Sequence, residues 1–145
     1  MRTGSQRNSQ TRLNHLGIRR VSAGREGESR AAVYLEASGL KIIARNIRSQ
    51  RGEIDLVALD GQTIVFIEVK TWSVYTFDSL SYSINSQKQR RIIETAKYFL
   101  SVHREYNSMA VRFDVVFINP AATADSGKII HLRAAFTENP SMESL

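Results

Sequence analysis

The chain has no cysteine. That excludes a disulfide framework, thiol catalysis and every thiolate zinc site, and it suits a reducing compartment. No stretch approaches the roughly 18 apolar residues of a membrane-spanning helix, so no membrane partner is expected. An apolar h-region of a secretory signal is also missing, and the expected location is cytoplasmic. Histidine is scarce: His15, His103 and His131 lie far apart with no ligand-like spacing. Each reads as a surface or packing residue, so any metal must be held by carboxylates. Against these absences stand 145 residues, 42% hydrophobic and 23% charged. This is the composition of one globular domain with a sizeable core, not of a disordered or fibrous chain.

Acid is missing from the first 25 residues, which carry Arg2, Arg7, Arg12, Arg19, Arg20 and Arg25. The rest of the chain holds 14 basic and 14 acidic side chains, so the whole excess of +6 sits in that leading segment. Residues 1–21 are rich in Ser, Asn, Gln and Arg, have little apolar surface to bury, and are expected to be flexible. Three readings fit them. They form a solvated tail, or an arm whose arginines, Arg19 and Arg20 among them, neutralise phosphates. The third is a transit peptide, for which Leu13, Leu16, Ile18 and Val21 supply only a modest apolar face.

The folded domain is expected over residues 22–134. Ala23 to Ser38 reads as a helix, capped by Ser22, buried through Ala31, Ala32, Tyr34 and Leu35, and stopped by Gly39. Leu40 to Arg48 and Glu53 to Leu59 read as strands, Asp60-Gly61 as a turn and Thr63 to Thr71 as a third strand. Residues 72–85 are polar and irregular. A second helix is expected from Asn85 or Ser86 to about His103, with Ile92, Ile93, Ala96, Phe99 and Leu100 as its apolar stripe. Val111 to Ile118 is a dense apolar strand closed by Asn119-Pro120, and Lys128 to Arg133 a short last strand. Residues 135–145, with Pro140, read as a frayed tail. A hairpin followed by a helical crossover implies an α/β fold: a mixed central sheet flanked by helices in the order αβββαβ.

The third strand carries charge where a core strand should have none. Val65, Ile67 and Val69 share one face; Ile64, Phe66, Glu68 and Lys70 share the other. Both faces are apolar over the first half, so the strand is covered on both sides, where unpaired charge is costly. In Gly52-Glu53-Ile54-Asp55-Leu56, Glu53 and Asp55 share a face and Ile54 and Leu56 the other. A four-residue loop at Asp60 to Thr63 pairs Leu59 with Ile64 and thus Asp55 with Glu68, whereas a two-residue loop opposes Glu53 to Glu68. Either arrangement places Asp55 and Glu68 on one face. Opposed carboxylates repel unless a cation sits between them, and an oxygen-rich site beside a lysine suits Mg²⁺ or Mn²⁺. A Glu68–Lys70 ion pair of purely structural purpose is the rival reading. Glu28 shares the face of Ala31, Ala32 and Leu35, and either adds a third oxygen or complements the helix dipole.

The Asp55…Glu68-Val69-Lys70 pattern is similar to the Asp…(Asp/Glu)-x-Lys signature of the PD-(D/E)XK nuclease superfamily, whose restriction-endonuclease-like core is also αβββαβ. More closely, residues 24–118 resemble the bacterial YraN-like family of predicted endonucleases, relatives of archaeal Holliday junction resolvases. The matching pieces are Gly24-x-x-Gly27-Glu28, Ala44-Arg45-Asn46, Gly52-Glu53-Ile54-Asp55-Leu56, Phe66-Ile67-Glu68-Val69-Lys70, Gln87-Lys88 and Arg112-Phe113-Asp114-Val115. Two departures stand out: Trp72 where the family has arginine, and Asp78 after Phe77 where it has glycine. Trp72 either stacks on a base or packs.

The resemblance implies that Glu28, Asp55 and Glu68 hold Mg²⁺ or Mn²⁺, and that Asp55, Glu68 and Lys70 act on a phosphodiester bond, in DNA and conceivably branched DNA. Lys88 and Arg91 fall on one face of the second helix, where they contact flanking phosphates or simply meet solvent. A resolvase-like action favours a homodimer, since two strands must be cut. The alternative function is a non-catalytic nucleic-acid-binding module on the same fold.

Overall fold

A computed structural model describes residues 25–71, 84–119 and 129–138. Its first element, helix α1, is described over residues 25–37. Ala31, Ala32 and Leu35 lie on one side of α1 and are fully buried. Gly39 ends the helix with φ +99, a conformation open mainly to glycine. There the Leu40 N–H donates to Leu35 O at 3.0 Å and the Gly39 N–H to Glu36 O at 3.0 Å, the paired closure of a Schellman motif.

Strands β1 (Lys41–Ser49), β2 (Gly52–Asp60) and β3 (Thr63–Thr71) follow as an antiparallel meander. Helix α2 (Ser86–Val102) then crosses over to β4 (Ala110–Ile118), which lies parallel to β3, and β5 (Ile129–Phe136) returns antiparallel to β4. The sheet order is β1-β2-β3-β4-β5. It is the mixed sheet with the αβββαβ order expected, extended by one strand. Helix α1 covers one face: Ala31, Ala32 and Leu35 pack with Leu56, Ala58, Val65, Ile67, Val116 and Ile118. Helix α2 covers the other, through Ile92, Ala96 and Phe99 against Ile54, Val57, Ile64, Phe66 and Phe113. Phe66 and Phe117 are among the largest fully buried side chains; each ring of that kind contributes roughly 2–3 kcal/mol by leaving water. No described helix is long and apolar enough to cross a membrane.

The hairpin adopts the Leu59↔Ile64 register expected of a four-residue loop, but pairing continues to Asp60↔Thr63, so the tip is only Gly61-Gln62 and this two-residue loop does not shift Glu53 opposite Glu68. Gly61 has φ +58, as a tight hairpin turn requires. One expectation fails instructively. Ile54 and Leu56 do not share a face: Ile54 packs on the α2 side and Leu56 on the α1 side. Across the pair, Ala44↔Val57 and Ile47↔Ile54 both belong to the α2-side cluster although three residues separate them on each strand. Strict alternation is therefore interrupted between them, where Asn46 takes φ 53, a left-handed conformation that asparagine tolerates better than most residues. The break falls at Asp55.

At the other end, β5 runs to Phe136 rather than stopping at Arg133, because Phe136 stacks on Phe113 with ring centroids 5.1 Å apart. Ser22, Trp72, Asp78, Arg19 and Arg20 lie outside the described residues, as do His15 and residues 139–145.

Candidate functional site

Glu68 stands on β3 in line with Ile64 and Phe66, facing α2, and is only 8% exposed. The ion pair imagined with Lys70 is not its contact among the described residues. Lys88 Nζ instead lies 2.8 Å from Glu68 Oε1. Helix capping brings it there: the Asn85 side chain accepts from the Lys88 N–H at 2.9 Å, fixing the first turn of α2 over the end of β3.

Asp55 reaches the same place from β2. Its Oδ2 accepts from the Val69 N–H at 2.8 Å. The side chain thus takes a main-chain donor of β3 just past the last paired residues, Leu56↔Ile67. Burial, and then the adjoining Glu68 carboxylate, push the Asp55 pKa up to about 7, against the opposing influence of the Val69 N–H. Glu28 also contributes: its charge raises Asp55 further, so α1 brings this carboxylate within electrostatic range of the pair. Among the described residues, however, no three Asp, Glu or His side chains gather as a ready-made metal cage.

Lys70, two residues along from Glu68, is half-buried. Burial and the neighbouring Lys88 ammonium lower its pKa, while Glu68 and Asp55 pull the other way. For Lys88 the balance reverses: burial would lower it, but its hydrogen bonds, to Glu68 foremost, carry it above the ordinary lysine value. Two carboxyls and two ammonium groups therefore meet at one end of the sheet, with the Asp55 carboxyl shifted into the neutral range.

The cluster opens into a cleft of about 1000 Å³ between α2 and the β1–β2 turn. Arg91, anticipated on the helix face, lines it, and so do Arg48 from the end of β1 and Arg51 from the turn, which sequence reasoning did not identify. Gly52 was the available signal. A Cβ there would stand 3.1 Å from Arg91 Cβ and 3.3 Å from Arg91 O, so glycine lets α2 lie this close to the turn without a shift. Buried Thr95 adds to the closure, since its Oγ1 donates to Arg91 O at 2.8 Å and lies 3.1 Å from Ser49 Oγ.

The model of the uncharacterised protein family UPF0102 matches residues 27–118. The chain belongs to this family. It is similar to UPF0102 proteins of Treponema pallidum, at 45% identity over 77% of this chain and 90% of the relative, and of Treponema denticola, at 42% over 79% and 95%. A UPF0102 protein of Rhodopseudomonas palustris is 40% identical over 83% and 87%. The matched span of UPF0102 contains Glu28, Asp55, Glu68, Lys70, Lys88 and Arg91 and leaves out the basic leader and β5.

Proposed function

We propose that this UPF0102 protein is a metal-dependent nuclease that hydrolyses phosphodiester bonds in DNA. The observation that carries the reading is the crowded Asp55–Glu68 pair at an open, arginine-lined cleft, with Asp55 pushed up to about 7. Such a pair gains most from a cation. The donor chemistry fits Mg²⁺ or Mn²⁺, which need one or two carboxylates and take further oxygens from water and substrate phosphate. Asp55 and Glu68 would hold the ion, with Glu28 adding negative charge behind Asp55. When bound, the ion polarises a phosphoryl oxygen and makes attacking water more acidic.

The remaining work belongs to the chain's own groups. Lys70 would direct its ammonium at charge building on the phosphoryl oxygens. Lys88, 2.8 Å from Glu68, would be available to an incoming phosphate if Glu68 held the ion. Arg91 holds a flanking phosphate and keeps the strand in line. Action on branched DNA calls for a pair of chains, because two strands must be cut.

A second reading, a nucleic-acid-binding module without turnover, has one observation in its favour: Lys88 already neutralises Glu68 at 2.8 Å, so the cleft needs no metal to be charge-balanced. Incubating full-length protein with labelled linear and branched DNAs in Mg²⁺ and Mn²⁺ tests both. Scission that vanishes with Asp55→Asn supports the nuclease; tight binding with no scission of any substrate by the wild type favours the module.

A further inference from the structure

The cleft at the carboxylate pair does not end at Arg51. A second depression of about 830 Å³ shares Arg48, Ser49, Gln50, Arg51 and Glu94 with the first and extends to Lys97 and Tyr98. Arg91, Glu94 and Tyr98 fall at i, i+3 and i+7 on α2, hence on one face, and span about 10 Å along its axis, the length of about three stacked nucleotides. The charge along this lane suits phosphates. Arg48 and Arg91 are exposed and have no acidic partner among the described residues. Arg51 pairs with Glu94 at 3.1 Å, but with 70% of its side chain exposed; a pair that open contributes little and yields readily to a phosphate. At the far end, Tyr98 is 55% exposed, an aromatic ring facing solvent beside basic groups.

We propose that this lane binds unpaired nucleotides adjoining the cleavage position, with a base stacked on Tyr98; the proposal rests on the nuclease reading and narrows its substrate to DNA with a single-stranded segment. A duplex would present only its phosphates here, because its base faces are already stacked inside the helix. A single strand offers both the phosphates that Arg48 and Arg91 suit and a free π-face for Tyr98.

The test is fluorescence anisotropy of full-length protein with a labelled oligothymidylate and with a duplex of equal length, in EDTA so that nothing is cut. Tyr98→Ala is expected to weaken oligothymidylate binding by about 5- to 150-fold. Tyr98→Phe should restore it, and neither should alter duplex binding or the melting temperature. Arg48→Ala should reduce the salt slope for the single strand by about 0.7. Equal binding of oligothymidylate by wild type and Tyr98→Ala overturns the lane while leaving cleavage activity, and so the nuclease reading, untouched. Equal weakening on duplex and single strand also overturns it. A wild type that binds neither nucleic acid at low salt removes the lane and the nuclease reading together.

Discussion

Two aspartates, half-buried Asp55 on β2 and buried Asp114 on β4, meet opposite fates. Asp114 is 1% exposed yet saturated with donors. Its Oδ1 accepts from Arg112 Nε and from the Ala134 N–H, each at 2.9 Å; its Oδ2 accepts from Arg112 at 3.0 Å and lies 2.7 Å from His131 Nε2. Arg112 in turn reaches Asp60 at 2.8 Å. Burial alone would raise Asp114, but His131, Arg112 and the Ala134 N–H hold it below the usual carboxylate range. Asp55, less deeply buried, has one main-chain donor and a second carboxylate for company, and its pKa rises to about 7. The contrast separates a carboxylate whose partners are all supplied by the fold from one whose partners are not. The first pins β5 to the sheet, even holding Ala134 at φ 50; the second has only the Val69 N–H as a main-chain donor among the described residues.

The comparison is sharpest when each aspartate is removed. Asp114→Ala leaves His131 Nε2 unpartnered and Arg112 with Asp60 alone, and should cost about 3–5 kcal/mol in denaturant unfolding; a loss under about 1 kcal/mol would break the distinction. Asp55→Asn keeps an oxygen for the Val69 N–H and deletes the repulsion, so the metal-free fold should gain about 1–3 kcal/mol at neutral pH. The two also differ in pH window. Because the folded pKa of Asp55 is raised from 3.8 to about 7, wild type loses stability relative to Asp55→Asn as pH climbs through that interval, and the gap is constant above it. Asp114 acts in reverse: its contribution is complete above 3.8 and disappears as pH falls through its depressed folded value. Thermal melts of wild type and both variants across that range check the sign of each.

Gly52→Ala should cost less, about 1–2 kcal/mol, as the added Cβ pushes α2 outward; a stability unchanged within error would mean that α2 does not lie as close to the turn as the 3.1 Å approach requires. The smallest effect on the fold belongs to deletion of residues 1–21. It should leave the melting temperature alone while lowering the salt slope of DNA binding by at most about 0.9 for each arginine that meets a phosphate. An unchanged slope would make the leader a passive or targeting segment.

The order of elements and the covered third strand were legible from alternation along β3, and the convergence of Asp55 with Glu68 from the hairpin register, both local properties of the sequence. Lys88 was visible only as a helix-face cation. Its contact with Glu68 depends on where the Asn85 cap sets α2 over the sheet, which is a tertiary matter. The Asp114 network was hidden for the same reason: Arg112 and Asp114 are two residues apart, but His131 and Ala134 come from a strand whose pairing crosses an irregularity between Phe113 and Val115. The break at Asn46 and Asp55 defeated alternation outright, since period-two reasoning assumes extended backbone throughout. That interruption lies at the candidate site.

The most direct test of a role for the Asp55–Glu68 pair in holding a metal is calorimetric titration of Mn²⁺ into full-length wild type and Asp55→Asn near pH 7, repeated in buffers of different ionisation enthalpy. Wild type should bind the ion and release protons from the half-protonated Asp55, while Asp55→Asn, though folded and at least as stable, should show no binding. Binding by Asp55→Asn equal to that of wild type, or no binding by wild type, would contradict it.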